Sequence, residues 1–183
     1  MKSVEESMVD ADDSVSICSL RIGTGTYGID TREIREVLGT TVPQSVPLAP
    51  EYIAGMVPYR GDVLTTVCLR SLLGLEKRAG SNRVLVFEDE ESKERFGLLV
   101  DGVGGVVAMG TDALEANPTA LDARSMELFD GAYRMQTGLM VRLDPRRLRP
   151  SHLAESGLFG SVKIEKLKQQ QQEKLKQKQG DER

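Results

Sequence analysis

Tryptophan is absent from this chain, and the other aromatics are scarce: four Tyr and four Phe in 183 residues. Nucleic-acid-binding barrels need a basic face studded with stacking rings. With so few rings and a net charge of -4, nucleic acid is not an expected partner. Histidine is nearly absent too. His152 stands alone, outside the β patterning, so no nucleophile-base-orienter set can be assembled around it. Glu88, Asp89, Glu90, Glu91 and Glu94 crowd one turn, as solvated charges do, rather than pairing as acid and base. The two cysteines, Cys18 and Cys68, lie in separate apolar runs without a C-x-x-C. No zinc site follows, and both read as reduced core residues. No cofactor motif is present, since no helix pattern follows Gly23-Thr24-Gly25 as a phosphate loop requires. No apolar run approaches the roughly 20 residues of a membrane helix. Met1 to Asp13 is acidic, without the apolar centre of a secretory signal. The expected address is the cytoplasm, without direct membrane insertion.

What is present is aliphatic. Hydrophobic residues make up 39% of the chain, so with few aromatics the core must be built from Val, Leu, Ile and Met. The stretch from Gly55 to Leu75 organises the rest. It reads as strand, tight turn at Arg60-Gly61-Asp62, β-branched strand over Val63–Leu69, and a short helical turn stopped by Gly74. An arginine is thus held at a tight turn between apolar strands.

Upstream, residues 1–13 read as a disordered acidic segment. Val15–Ile22 and Tyr27–Ile29 read as strands. Asp30 to Leu38 is a short helix or a bent strand. Asp30 or Thr31 can cap it, and Ile34, Val37 and Leu38 fall on one helical face. Its charges are either a solvated face or a binding surface. Residues 40–47 carry Pro43 and Pro47 and fit an edge or linker, and residues 49–53 fit a helical turn. Downstream, 83–88, 95–100, a glycine-punctuated 101–109, 114–118, 131–136 and 139–143 read as strands, with a helical turn after Asp144-Pro145. Many short strands with Gly and Pro turns predict a mainly β chain divided near Gly80. Residues 151–183 read as a polar tail, strongly Lys/Gln-rich from Ser161.

The ordered series Tyr27-Gly28-Ile29-Asp30, Ile34-x-Glu36-Val37, Pro47, Tyr52-Ile53-x-Gly55, Arg60-Gly61, Leu69-Arg70, Leu73-Gly74-Leu75 and Phe96 to Val103 resembles the CheW family of chemotaxis coupling proteins. The likeness spans roughly residues 14–150. It implies two five-stranded SH3-like β-barrel subdomains sharing a hydrophobic core, with no catalytic activity. It also implies two partners, the regulatory domain of a CheA-type histidine kinase and the tip of a methyl-accepting chemoreceptor. The family's receptor groove maps here to Ile34, Glu36, Val37, Arg60, Gly61 and Val103, with the arginine and glutamate as Arg60 and Glu36. Departures cluster on the hairpin. Pro58, Tyr59, Thr65 or Thr66, and Cys68 stand where relatives commonly carry Asn, an aliphatic, Pro and Asp, and Gly104-Gly105 stands where an acid is common. Two other readings stay open: a small-molecule sensor with its ligand between the barrels, and an adaptor in a motility or second-messenger pathway.

Overall fold

In the computed structural model, which describes residues 14–78, 82–117 and 123–159, eleven strands form two sheets. They are β1 (Ser14–Ile22), β2 (Gly25–Asp30), β3 (Glu36–Leu38), β4 (Ile53–Tyr59), β5 (Asp62–Cys68), β6 (Arg83–Glu88), β7 (Arg95–Val100), β8 (Gly102–Gly110), β9 (Leu114–Glu115), β10 (Phe129–Met135) and β11 (Gly138–Leu143). One sheet has six strands in the order β8-β1-β2-β11-β10-β9, and the other has five in the order β3-β6-β7-β5-β4. Neighbours are antiparallel except β2–β11 and β5–β7.

Two expectations change here. One sheet carries a sixth strand, and the halves are not consecutive in sequence. β6 and β7 join β3–β5, while β1 and β2 wait for β8 to β11. Residues on both sides of position 80 therefore belong to one sheet, and Gly80 itself lies outside the described residues.

Burial explains why each strand forms. β6 buries Val84, Leu85, Val86 and Phe87 in succession, because both its faces are covered. Val86 meets Tyr59, Leu64 and Leu38 in a small cluster belonging to the five-stranded sheet. Ile17, Tyr133 and Met140 form the matching cluster of the six-stranded sheet. Between them lies the shared core. Leu20, Ile22 and Ile29 enter it from one sheet, Val67, Leu85, Phe87, Phe96 and Leu98 from the other. Phe87 and Phe96 stack at 5.2 Å.

The segment after β2 resolves as the bent strand. Asp30 caps a single 3-10 turn, Thr31–Glu33, by accepting a hydrogen bond from the Arg32 amide at 2.9 Å. β3 then pairs with β6, so Val37 and Leu38 point to opposite faces instead of sharing one. The strand expected over 114–118 is only β9, and Pro118 lies outside the described residues. Residues 49–52 make a turn rather than a helix. The helical turn after β5 is α1 (Leu69–Leu72), followed by Gly74 at a positive φ of 70°.

Two helices were not visible in the sequence, α2 (Ala123–Leu128) and α3 (Pro150–Ser156). His152 contacts Glu127, tying the two helices together, and Arg147, on the 3-10 turn Pro145–Leu148 just before α3, donates from its guanidinium to the Met126 carbonyl at 3.1 Å. Leu128, Leu153 and Phe159 are buried in the shared core. The packed unit therefore runs to Phe159, beyond the start at 151 given above for the polar tail. Residues 1–13 and 160–183 lie outside the described residues.

Candidate functional site

The β4–β5 hairpin has a two-residue loop. Arg60 and Gly61 take positive φ of 51° and 86°. Both central residues need that sign in a type I′ turn, whose twist matches the strands it joins. A Cβ on Gly61 would meet nothing, so glycine serves the backbone there, not the space. Asp62 is already the first residue of β5.

The loop aims Arg60 across the sheet. Its Nη2 donates to Glu36 Oε2 at 2.8 Å, and the Tyr59 hydroxyl donates to the same oxygen at 2.9 Å. The Arg60 guanidinium also lies over the Tyr59 ring, 5.3 Å from its centre. Glu36 sits on β3 and Tyr59 on β4, the two outer strands of the five-stranded sheet. The sheet therefore curls until its edges meet, and three side chains clasp them. The Tyr59 hydrogen bond and then Arg60 hold the Glu36 carboxyl below its ordinary range, while Glu36 pushes the Tyr59 hydroxyl up. An anion fixed beside an exposed cation results, with the guanidinium 70% exposed.

The other expected residues lie around this clasp with different degrees of exposure. Val37 continues the core-facing side of Leu85 out to the sheet edge, where it is 44% exposed. Ile34 is half-buried against the shared core. Val103 lies on the other sheet, opposite Leu20, and is half-buried against the same core. Glu36, Arg60 and Gly61 thus form one cluster, Val37 an apolar edge beside it, and Ile34 and Val103 turn largely inward.

Three further features escaped the sequence reading. Tyr59 is one: its hydroxyl makes a hydrogen bond that an aliphatic residue at this position would lack. The second is Asp101, where the chain passes from β7 in one sheet to β8 in the other. Its Oδ2 accepts from the Gly23 amide at 2.7 Å and from Arg70 Nη1 at 2.5 Å. Arg70 Nε then donates to the Glu76 carbonyl at 2.7 Å. Both charges stood in the sequence at the ends of apolar runs, which was the available signal.

The third is a cleft of about 840 Å³ between the two sheets. Its arginines are occupied: Arg32 by Asp30, Arg35 by Glu88, Arg142 by Asp130, Arg146 by Asp144 and Arg149 by Asp89. Its remaining carboxylates, Glu33 among them, leave the cleft acidic. Glu33 is pushed up to about 7 by partial desolvation and by repulsion from Asp144 and Asp30. Such a cleft disfavours an anionic metabolite. Among the described residues no three His, Cys, Asp or Glu side chains are placed to hold a metal ion, and no helix is long and apolar enough to cross a membrane.

Residues 16–151 match the family model of the CheW-like domain. The chain belongs to the CheW-like family. It is similar to the chemotaxis protein CheW of Treponema pallidum, 22% identical over 162 residues, which covers 85% of this chain and 88% of that protein. It is also similar to the probable chemotaxis protein CheW of Rhizobium etli, 26% identical over 102 residues, covering 56% and 66% of the two chains. Among solved structures, the scaffolding protein TtCheW of Thermoanaerobacter tengcongensis superposes with a TM-score of 0.64 at 22% identity, over 71% of this chain and 88% of that one. The two sheets with a shared core are this family's two-subdomain SH3-like fold. The departures noted in the hairpin divide by face. Thr66 and Cys68 are buried, whereas Pro58 faces outward on an edge strand, the position where a missing N–H is tolerated.

Proposed function

We propose that this CheW-like chain is a non-catalytic coupling adaptor. It joins the tip of a methyl-accepting chemoreceptor to the regulatory domain of a CheA-type histidine kinase, in the cytoplasm. The observation that carries the reading is the family match over residues 16–151. The names of the relatives place them in chemotaxis, and one solved neighbour is titled a scaffolding protein. The receptor-facing surface in this proposal is the clasp with its apolar edge: Arg60, Glu36 and Gly61 beside Val37, with Ile34 and Val103 contributing what they leave exposed. A helical hairpin offers an apolar stripe flanked by charges. Val37 receives the stripe, and the exposed Arg60 guanidinium reaches a carboxylate beside it.

The test uses two purified partners, a receptor-tip fragment and a kinase regulatory domain, each titrated against the wild-type chain and Arg60→Glu. Reversal sets two carboxylates together at the clasp and repels an acidic receptor flank. Receptor binding is expected to weaken while kinase binding stays within twofold. Unchanged receptor binding makes Arg60 a turn residue only. Collapse of kinase binding instead assigns the clasp to the other partner.

A further inference from the structure

Two donors share one oxygen in the clasp, and they are held very differently. Tyr59 is 9% exposed, and its ring packs with Leu64, Val86 and Leu38 in the small cluster of the five-stranded sheet. That packing fixes the hydroxyl at the sheet edge, 2.9 Å from Glu36 Oε2. Arg60 instead projects from the two-residue loop, with most of its guanidinium in solvent. Its bond to the same oxygen, at 2.8 Å, is a surface ion pair made by a long side chain. Such a pair breaks readily, because water replaces much of the lost attraction and the freed side chain regains its rotamers.

The proposed function has Arg60 reach a carboxylate on the receptor tip. Glu36 already holds that guanidinium, so two carboxylates compete for one cation. Once Arg60 turns to the partner, Glu36 loses its counter-charge just as the interface closes. A charge left there without a donor weakens binding.

We propose, on that reading of the clasp, that Tyr59 is the positioning residue that lets Arg60 change partners: its hydroxyl keeps the Glu36 carboxylate hydrogen-bonded while the guanidinium swings to the receptor. The Tyr59 bond does not depend on Arg60, since the buried ring sets its position. A hydroxyl bonded to a carboxylate is a charge-assisted donor, and it carries no charge of its own to compete for the receptor's acid. Of the two donors, Tyr59 does more to hold the Glu36 carboxyl below its ordinary range. Glu36 in turn pushes the hydroxyl up, so Tyr59 keeps the proton that it donates.

Tyr59→Phe removes the hydroxyl and leaves the ring, with its packing and its contact to Arg60. A receptor-tip fragment is titrated against the full chain as wild type, Tyr59→Phe and Arg60→Glu. Tyr59→Phe is expected to bind about three- to tenfold more weakly, the range of one hydrogen bond at an accessible site. The second measurement needs no partner. Arg60→Ala imitates the released state, and the Glu36 side-chain carboxyl is followed by carbon-13 NMR as pH is varied. Glu36 is expected to stay below its ordinary range in Arg60→Ala, and to return to it in the double variant Arg60→Ala/Tyr59→Phe. Ordinary titration of Glu36 in Arg60→Ala overturns the proposal, because the hydroxyl then does not hold the carboxylate alone. That result stands even if Tyr59→Phe folds poorly. Unchanged binding by Tyr59→Phe, with binding weakened by Arg60→Glu, also overturns it and leaves the receptor-facing reading intact. Wild-type binding by Arg60→Glu removes that reading, and the exchange of partners falls with it.

Discussion

Leu153→Ala tests whether the functional unit ends where the family match ends, at 151, or continues through α3. Leu153 is 0% exposed and belongs to the core shared by both sheets. Its helix has only seven residues, too few to persist alone in water. Packing, not propensity, keeps it in place. Leucine-to-alanine substitutions in cores cost about 2–5 kcal/mol, depending on how far the walls collapse into the void. Here the walls include strands held by ladders on both sides, which move little, so the upper half of the range applies: about 3–4 kcal/mol. At about 2–4 °C per kcal/mol for a chain of this size, the melting temperature should fall by roughly 10 °C. Truncation after residue 151 removes Phe159 as well. A buried phenylalanine is worth about 3–5 kcal/mol, so the combined loss approaches the whole stability of a typical domain, about 5–15 kcal/mol. Truncation after Phe159 should leave the melting temperature unchanged. Guanidinium unfolding followed by far-UV circular dichroism reads all three chains, with equal slopes required before the midpoints are compared. A Leu153→Ala loss below about 1 kcal/mol, or a stable chain ending at 151, refutes the reasoning.

Asp101→Asn keeps an acceptor for the Gly23 amide but leaves Arg70, only 16% exposed, without its counter-ion. Breaking a fully buried pair costs about 3–5 kcal/mol, and this partly exposed one should cost about 2, read by the same denaturation. Gly55→Ala should destabilise by at least about 2 kcal/mol, because φ is +142° and the new Cβ would lie 2.3 Å from the Gln44 carbonyl oxygen. Gly61→Ala, facing open space, should cost only about 1 kcal/mol. Equal costs at the two glycines would discard the steric argument. Glu33 titrates near 7 in the fold against about 4.5 unfolded, so its ionisation opposes folding. Its contribution is fully favourable below about 4.5 and is lost as pH rises through about 7. Because Glu33 is open to solvent although its carboxyl is crowded, the effect is screened to under about 1 kcal/mol. Glu33→Gln should flatten that slope and raise stability at pH 8, and an unaltered pH profile would remove Glu33 as its cause.

The strands were legible wherever one face is buried and the other wet, as in β1, and wherever a β-branched run is buried on both faces, as in β5. Asp30 was legible as a cap because capping is local chemistry. Ile34, Val37 and Leu38 misled because their helical spacing spans too few residues to outweigh a ladder with Val84–Val86, which no local pattern reveals. α3 was invisible for a related reason. One buried leucine in a polar run carries no periodicity, and only its contact with distant strands makes it a helix. The division near Gly80 failed because sheet membership rests on the parallel pairings β5–β7 and β2–β11, joining residues far apart in sequence. Of the candidate site, Arg60 and Glu36 could be named from the sequence, but Tyr59 could not, since its role depends on the sheet curling its edges together.

The nesting of one sheet inside the other imposes an order of assembly. β1 meets β8 only through pairs such as Ile17 and Val107, roughly ninety residues apart, and all five strands of the other sheet, β3 to β7, lie between them in the chain. Closing so long a loop of unfolded chain is slow and entropically costly. Once β3 to β7 have folded, the loop is no longer unfolded chain, because the inner unit delivers β8 back towards β1. As the chain leaves the ribosome, β1 and β2 emerge first and can pair with each other, but their other neighbours, β8 and β11, follow only after the inner strands. Chain order therefore gives the inner sheet a head start, but its core face, with Leu85, Phe87 and Phe96, is covered only once the outer sheet packs on it. Damage to the inner sheet hinders the return of β8 to β1, whereas damage to β9, β10 or β11 leaves that core face without part of its cover.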